Sequence, residues 1–401
     1  MNLSWIVLGT LVSLVASAPE GRKSSITTES IVKGHGYPFE KFTVQTSDGY
    51  KLGLHRIPYS PKQNATGEEA PNTRPVVFLM HGLLSSSADW VVIGPEHNAL
   101  AFVLSDAGYD VWLGNARGNV YSKKHVLKSP LMKSFWNFDW HEIGMYDLPA
   151  MIDQIRTTTG HEKIIYVGHS QGSTSFLVLN SLNHDFKYRI KSAHFLAPLV
   201  YTSHSKSPLF QLGTLMGLPN YSPYLTGSME LLPNTKFLEL LGKGVCQKTS
   251  PVIQVCSSPS YLLGGFDTEN LNVDKVPDVI AVNPAGSSVN QVYHFMQVKN
   301  SGKFRQFDYG IARNLVKYSS AKPPHYPLDK IDVPIYLYSA QNDYLATEAD
   351  TERLIKELPA SSLKQTYVAP HPKWNHFDFL WGLNVKEQVY DTLVENMAEI
   401  Q

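Results

Sequence analysis

Residues 163–172 read Lys-Ile-Ile-Tyr-Val-Gly-His-Ser-Gln-Gly, and this stretch constrains the fold more than any other. A β-branched and aromatic run, Ile164 to Val167, leads into Gly168-x-Ser170-x-Gly172, and a helix-like run, Ser173 to Leu182, follows. Strand, sharp turn, helix is the setting in which a serine is held above a sheet edge as a nucleophile. So sharp a turn strains the serine backbone, and side chains two residues to either side would clash; glycine at 168 and 172 removes them. The competing reading is a glycine-rich turn with a bystander serine.

The rest of the chain supplies the sheet that such a turn needs. Phe42 to Ile57 alternates apolar and polar residues around Asp48-Gly49, which predicts an antiparallel hairpin. Val76 to Met80 is continuously apolar, as in a strand buried on both faces. A helix over Asn98–Leu104, a strand over Tyr109–Leu113, a helix over 137–159 stopped by Gly160, and a strand over Ile190–Leu196 complete an alternating series. The pattern predicts an α/β protein, a mostly parallel sheet with helices on both faces. From 201 to 325 the alternation stops. It resumes with a strand over Val333–Ser339, a helix over 347–358, a strand over Lys364–Val368 and a helix over 385–399. The organisation read from this is a core of 19–200 and 326–401, with 201–325 as a cap or lid insertion over the strand ends. Within it Leu209, Leu212, Leu215 and Met216 are spaced for one helix face, either a lid helix or ordinary cap core.

The 401 residues carry 35 basic and 35 acidic side chains, and only 17% are charged, which argues against a nucleic-acid partner. Residues 1–18 read as a secretory signal peptide: an apolar run from Leu3 to Ala16, too short to span a bilayer comfortably, ends in small residues, with cleavage after Ser17 or Ala18. Export fits the even cysteine count, Cys246 and Cys256, a disulfide candidate, and makes Asn64 and Asn220 glycosylation candidates. The cysteine pair lacks a neighbouring histidine cluster, so no metal site is expected. No protein partner is evident.

Acyl transfer by serine requires a base, an acid that orients the base, and donors for the oxyanion. On a strand–turn–helix nucleophile the chain order is Ser, then Asp or Glu, then His. Asp343, on the loop after the strand ending at Ser339, is favoured over Asp332, which precedes that strand, and Asp350, inside the following helix. Asp147 and Asp153 precede the serine. His371 and His376, on the loop after Val368, are both candidate bases; His371, between two prolines, reads better as a surface residue. The oxyanion donors are expected to be the backbone N–H of Gln171 and one from His81-Gly82-Leu83, with Leu83 favoured. His81 itself lies before the serine and is read as shaping that loop.

These residues resemble a known family. The resemblance runs through Asp48-Gly49-Tyr50, His81-Gly82-Leu83-Leu84, Asp106 to Asn115, Arg117-Gly118-Asn119, Tyr146-Asp147-Leu148-Pro149-Ala150 and Gly168 to Gly172. It continues through Asn283-Pro284-Ala285-Gly286 and ends in Asn375-His376-Phe377-Asp378-Phe379. The chain resembles the acid lipases, the gastric and lysosomal lipases and their insect relatives, over nearly all of its mature length. The resemblance implies an α/β-hydrolase fold with a lidded cap, and hydrolysis of lipid esters at an oil–water or membrane interface without a cofactor. It further implies a secreted or lysosomal location, with Ser170 as nucleophile, Asp343 as acid, His376 as base, Leu83 and Gln171 at the oxyanion, and His371 as a bystander. Gly264 stands where mammalian members carry a third cysteine. The alternatives are an esterase for short soluble esters and a lipid-binding relative that has lost catalysis.

Overall fold

A computed structural model describes residues 26–62, 73–210, 229–233 and 262–399. The proposed signal peptide, Asn64, Asn220, Cys246, Cys256, Leu212, Leu215 and Met216 lie outside the described residues. The strands are β1 (Glu40–Gln45), β2 (Tyr50–Ile57), β3 (Val76–Met80), β4 (Asp110–Leu113), β5 (Lys124–His125), β6 (Ile164–His169), β7 (Ile190–Leu196), β8 (Glu230–Leu231), β9 (Ser287–Ser288), β10 (Ile335–Ser339) and β11 (Leu363–Val368). The helices are α1 (Thr28–Gly34), α2 (Leu100–Asp106), α3 (Leu148–Thr159), α4 (Gln171–Leu182), α5 (Val276–Val282), α6 (Val289–Ser301), α7 (Ile311–Tyr318), α8 (Glu348–Glu357), α9 (Asp378–Trp381) and α10 (Asp391–Ala398).

One large sheet runs in the order β1-β2-β4-β3-β6-β7-β10-β11, with β5 added to β2. The hairpin β1–β2 is antiparallel, and from β4 to β11 every pairing is parallel. Each buried strand divides its side chains between the two faces. Val76, Phe78 and Met80 of β3 enter one apolar core, and Val77 and Leu79 the other. That two-sided burial is why β3 is an unbroken apolar run. Two-faced cores with helices over them are the physical content of the α/β class.

The region 201–325 departs from this pattern, and among its described residues no strand joins the large sheet. It contributes the small sheet β8–β9 and helices α5, α6 and α7. In α7 the usual polarity is reversed: Asn314 is buried, its amide bonded to Asp308 and the Ala321 carbonyl, while Ile311, Leu315 and Val316 face solvent.

Some boundaries differ from the sequence expectation. The helix expected over 137–159 starts at Trp140–Glu142 and widens into a π turn at Ile143–Asp147 before α3. Gly160 closes it with φ 75°, the left-handed C-terminal cap that glycine supplies at least cost. The widened turn brings Asp147 beneath Arg117. The Arg117 guanidinium, buried on the Tyr50 ring, donates to Asp147 at 2.7 Å and to Asp48 at 2.6 Å. Three separated sequence blocks therefore meet in one ion cluster that ties the hairpin to the head of α3.

Candidate active site

The carboxyl ends of β3, β6, β10 and β11 lie along one sheet edge. At the end of β6 the chain turns into α4 through Ser170, whose φ of 53° and ψ of −117° are unusual for a side-chain-bearing residue. The helix starts at Gln171, two residues earlier than expected, because Ser170 itself is the turn. A Cβ on Gly172 would lie 2.3 Å from the Met80 carbonyl oxygen, and one on Gly168 would lie 2.8 Å from the Ser173 nitrogen. Both are closer than real contacts allow. The two glycines are thus required by the approach of β3 and of the first turn of α4.

The histidine that meets Ser170 is His376. Its Nε2 lies 2.8 Å from the Ser170 Oγ, and its Nδ1 lies 2.8 Å from Oδ2 of Asp343. The other oxygen, Oδ1, accepts backbone N–H bonds from Leu345 and Ala346, both at 2.8 Å. All three residues are buried. Asp343 thus has one oxygen held by two amides and the other aimed at the imidazole, which selects the tautomer with the proton on Nδ1 and leaves Nε2 to accept from Ser170. His376 is held at its backbone as well: His169 Nε2–H donates to its carbonyl at 3.0 Å, and its own N–H donates to the Gly264 carbonyl at 3.3 Å. Burial pushes His169 well below the usual histidine range, so it sits there as a neutral donor.

The loop after β3 lies beside Ser170. A Cβ on Gly82 would sit 3.1 Å from the Ser170 Cβ, so the loop carrying Leu83 runs against that side chain. His81 fixes that loop: its Nδ1–H donates to the Gly82 carbonyl at 2.8 Å, and Nε2 accepts the Ala116 N–H at 3.0 Å. Burial lowers its pKa to about 4, which keeps Nε2 free to accept. Gln171 opens α4, and its Nε2 donates to Oε1 of Gln291 on α6. Nothing in the sequence pattern pointed to Gln291, because the contact joins the elbow helix to a residue within 201–325, far away in sequence.

The other candidates lie elsewhere. His371 bonds Asn270 and faces Glu269 rather than Ser170. Asp332 pairs with Lys187, Asp153 with Arg189, and Asp350 with His204. Leu209, the first residue of the apolar face noted in the insertion, packs partly buried against the core. Among the described residues no group of three or more His, Cys, Asp or Glu is placed to hold a metal ion, and no helix is long and apolar enough to cross a membrane.

A carboxyl pair, which sequence spacing could not reveal, sits beside the loop that carries His376. Asp378 is buried, accepts the Asn375 N–H at 2.7 Å and hydrogen-bonds Asp267, which is also buried. Two carboxyl groups share a hydrogen bond only while one carries a proton. Burial first, then the neighbouring Asp267 and Asp343 charges, push the Asp378 pKa well up. Asp267 belongs to a strap in which the Gly265 carbonyl accepts from Asn375 Nδ2 at 3.1 Å and the Phe266 carbonyl from Asn342 Nδ2 at 3.0 Å. A side chain on Gly264 of this strap would run into the Phe377 ring at 2.6 Å.

The sign of the linkage follows. A carboxyl raised in the folded state contributes fully below its unfolded value of 3.8, and that contribution is lost as pH rises toward the folded value. His371, Glu269 and Lys373 are the other titratable groups around the strap, with Lys373 already paired to Glu269. Asp378→Asn keeps an uncharged donor toward Asp267 at every pH. It is therefore expected to flatten the fall in thermal stability as pH rises above the unfolded carboxyl value of 3.8. Unfolding midpoints with the same pH slope as wild type would show that the pair does not titrate there.

A serine on a strained strand-to-helix turn, followed in chain order by its aspartate and its histidine at later strand ends, defines an α/β-hydrolase. The family model "Partial alpha/beta-hydrolase lipase region" matches residues 28–94, and "alpha/beta hydrolase fold" matches residues 75–248. Among solved structures, a monoglyceride lipase from Saccharomyces cerevisiae shares the fold with a TM-score of 0.52 at 17% identity, covering 96% of this chain and 99% of that one. The sequence relatives are much nearer. Lipase 3 of Drosophila melanogaster is 48% identical over 92% of each chain. Gastric triacylglycerol lipase of Rattus norvegicus is 37% identical, covering 95% of this chain and 94% of that one. Lysosomal acid lipase/cholesteryl ester hydrolase of Macaca fascicularis is 36% identical, covering 100% of this chain and 99% of that one. The chain belongs to the acid lipase family.

Proposed function

We propose that this protein hydrolyses carboxylic esters of lipids, triacylglycerols, sterol esters or both, through an acyl-enzyme on Ser170. The observation that carries the mechanism is the unbroken hydrogen-bonded path from Asp343 through His376 to the Ser170 hydroxyl. His376 Nε2 takes the Oγ proton as Oγ attacks the ester carbonyl, and Asp343 stabilises the imidazolium that forms. The Leu83 and Gln171 N–H groups receive the oxyanion, in a buried site where such donors count for several kcal/mol, roughly 3–4 each. Collapse expels the alcohol, which takes its proton from His376. A water, deprotonated by the same nitrogen, then releases the fatty acid.

The names of the relatives, a gastric triacylglycerol lipase and a lysosomal cholesteryl ester hydrolase, support both ester classes. They also support export to a secreted or lysosomal location through residues 1–18. Residues 201–325 serve as the cap over this site, and glycans on Asn64 and Asn220 and a Cys246–Cys256 disulfide belong to the same reading. An idle lipid-binding relative has no use for three groups held this closely. Hydrolysis of triolein, cholesteryl oleate and a short-chain soluble ester, compared between about pH 4 and pH 8, tests the substrate class. Turnover of emulsified triolein or cholesteryl oleate is expected; activity on the soluble ester alone would replace the lipase reading with the esterase one.

A further inference from the structure

The loop 123–133, Lys-Lys-His-Val-Leu-Lys-Ser-Pro-Leu-Met-Lys, has no part in the chemistry above, yet it is built with care. Leu127 is 86% exposed and Leu131 84%, and Val126 and Met132 are also exposed. Such apolar tips normally fold back, but here the backbone is fastened so that they cannot. His125 Nε2–H donates to the Asp48 carbonyl at 3.0 Å, and its Nδ1 accepts the N–H groups of Leu127 at 2.9 Å and Lys128 at 3.1 Å. Val126 N–H bonds the Gly49 carbonyl at 2.9 Å, and Trp136 Nε1–H bonds the Pro130 carbonyl at 2.7 Å. The buried Tyr50 ring lies edge-on under His125 at 4.8 Å. The leucines are thus held outward by the frame.

The loop also lies on the catalytic side of the molecule. β5 pairs with Tyr50 and Lys51, and β2 runs antiparallel to β4 with His55 opposite Leu113. Residues 50–54 therefore extend past the carboxyl end of β4, toward the sheet edge that carries Ser170. A short path connects loop and site: Val120 N–H bonds the Ala285 carbonyl at 2.9 Å, and Ala285 N–H bonds the Leu84 carbonyl, beside the oxyanion loop, at 2.6 Å. Lys123 pairs with Glu230, whose neighbour Met229 is exposed as well. Charge follows the same design. Four lysines are interleaved with the apolar tips, and no carboxylate side chain occurs between Asp110 and Asp139.

We propose that Val126, Leu127, Leu131 and Met132 insert into an anionic lipid surface while Lys124, Lys128 and Lys133 meet its headgroups, setting the catalytic edge against the interface. Exposed aliphatic tips on a fixed frame provide the insertion, and lysines without intervening carboxylates provide the selectivity for negative headgroups. The proposal rests on the lipid-ester reading for its purpose but not for its test.

The full chain, as wild type, as Leu127→Ser/Leu131→Ser and as Lys124→Glu/Lys128→Glu, is sedimented with vesicles of phosphatidylcholine alone or mixed with phosphatidylglycerol. Wild type is expected to favour the mixed vesicles. The leucine pair is expected to lose about 10-fold or more in partition to both kinds of vesicle, and the lysine pair a similar factor on mixed vesicles only. Hydrolysis of a soluble short-chain ester should be unchanged in both variants, which also shows that they are folded. Equal partition of wild type and variants overturns the proposal. So does a concentration-dependent dimer of the wild type that the leucine pair abolishes, which would make this face a contact between copies. If wild type binds vesicles but hydrolyses no ester, the functional reading fails and the docking surface stands.

Discussion

Ser170→Ala is expected to abolish hydrolysis of every ester, lowering kcat on the order of 10⁶-fold, while the thermal unfolding midpoint stays within a few degrees of wild type. The size follows from the loss of the covalent route. Without Oγ, His376 can only activate water from a position arranged for a hydroxyl 2.8 Å away. Stability is largely spared because, although the hydroxyl's bond to His376 is lost, the turn is set by backbone: Ser170 N–H bonds the Leu196 carbonyl at 2.9 Å, and the Ser173 N–H bonds the Ser170 carbonyl at 3.0 Å. Alanine also relieves nothing of the positive φ, so the strain at the elbow remains. A variant that kept a tenth of wild-type rate would place the nucleophile elsewhere.

The second large effect is expected at the other end of the path. Asp343→Asn should lower kcat by about 10⁴-fold at neutral pH with little change in fold. The reason lies in which atom the amide must turn toward His376. The Oδ1 position accepts two backbone N–H bonds, from Leu345 and Ala346, so the asparagine oxygen has to occupy it. Its NH₂ then faces His376 Nδ1 and donates to it. That forces the ring proton onto Nε2, the nitrogen that has to accept from Ser170. The base is present, correctly placed, and in the wrong tautomer. Steady-state kinetics on a soluble ester measures the loss; an Asp343→Asn enzyme within 10-fold of wild type would assign the acid role to another carboxylate.

Much of this was legible in the sequence, for identifiable reasons. β3 and β7 have the expected limits: β3 because a strand buried on both faces is a plain apolar run between turn residues, and β7, Ile-Lys-Ser-Ala-His-Phe-Leu, because Ala197-Pro198 closes it. Ser170 was legible because its conformation demands glycine on both sides, a local requirement that local sequence records. Chain logic set the expected order of acid and base, but spacing alone left His371 and His376 open; the path of the loop over the sheet edge brings His376, and not His371, to Ser170. Strand order, with β4 outside β3, leaves no local mark. Nor does the Asp267–Asp378 pair, whose members are joined only by the folded insertion. In α7 the apolar stripe faces water, so helical periodicity would have buried the wrong side. The platform at 123–133 did carry a signal, lysines and aliphatic residues without a carboxylate, but exposure of the leucines became apparent only once the frame around His125 was seen.

The most direct measurement is the site of covalent capture. Treating the protein with a fluorophosphonate and sequencing the adduct by mass spectrometry should place one label on Ser170, within the peptide spanning 163–172, and none on Ser170→Ala. A label on another serine that persists in Ser170→Ala, or no label on a folded protein that still hydrolyses ester, would contradict a Ser170 acyl-enzyme.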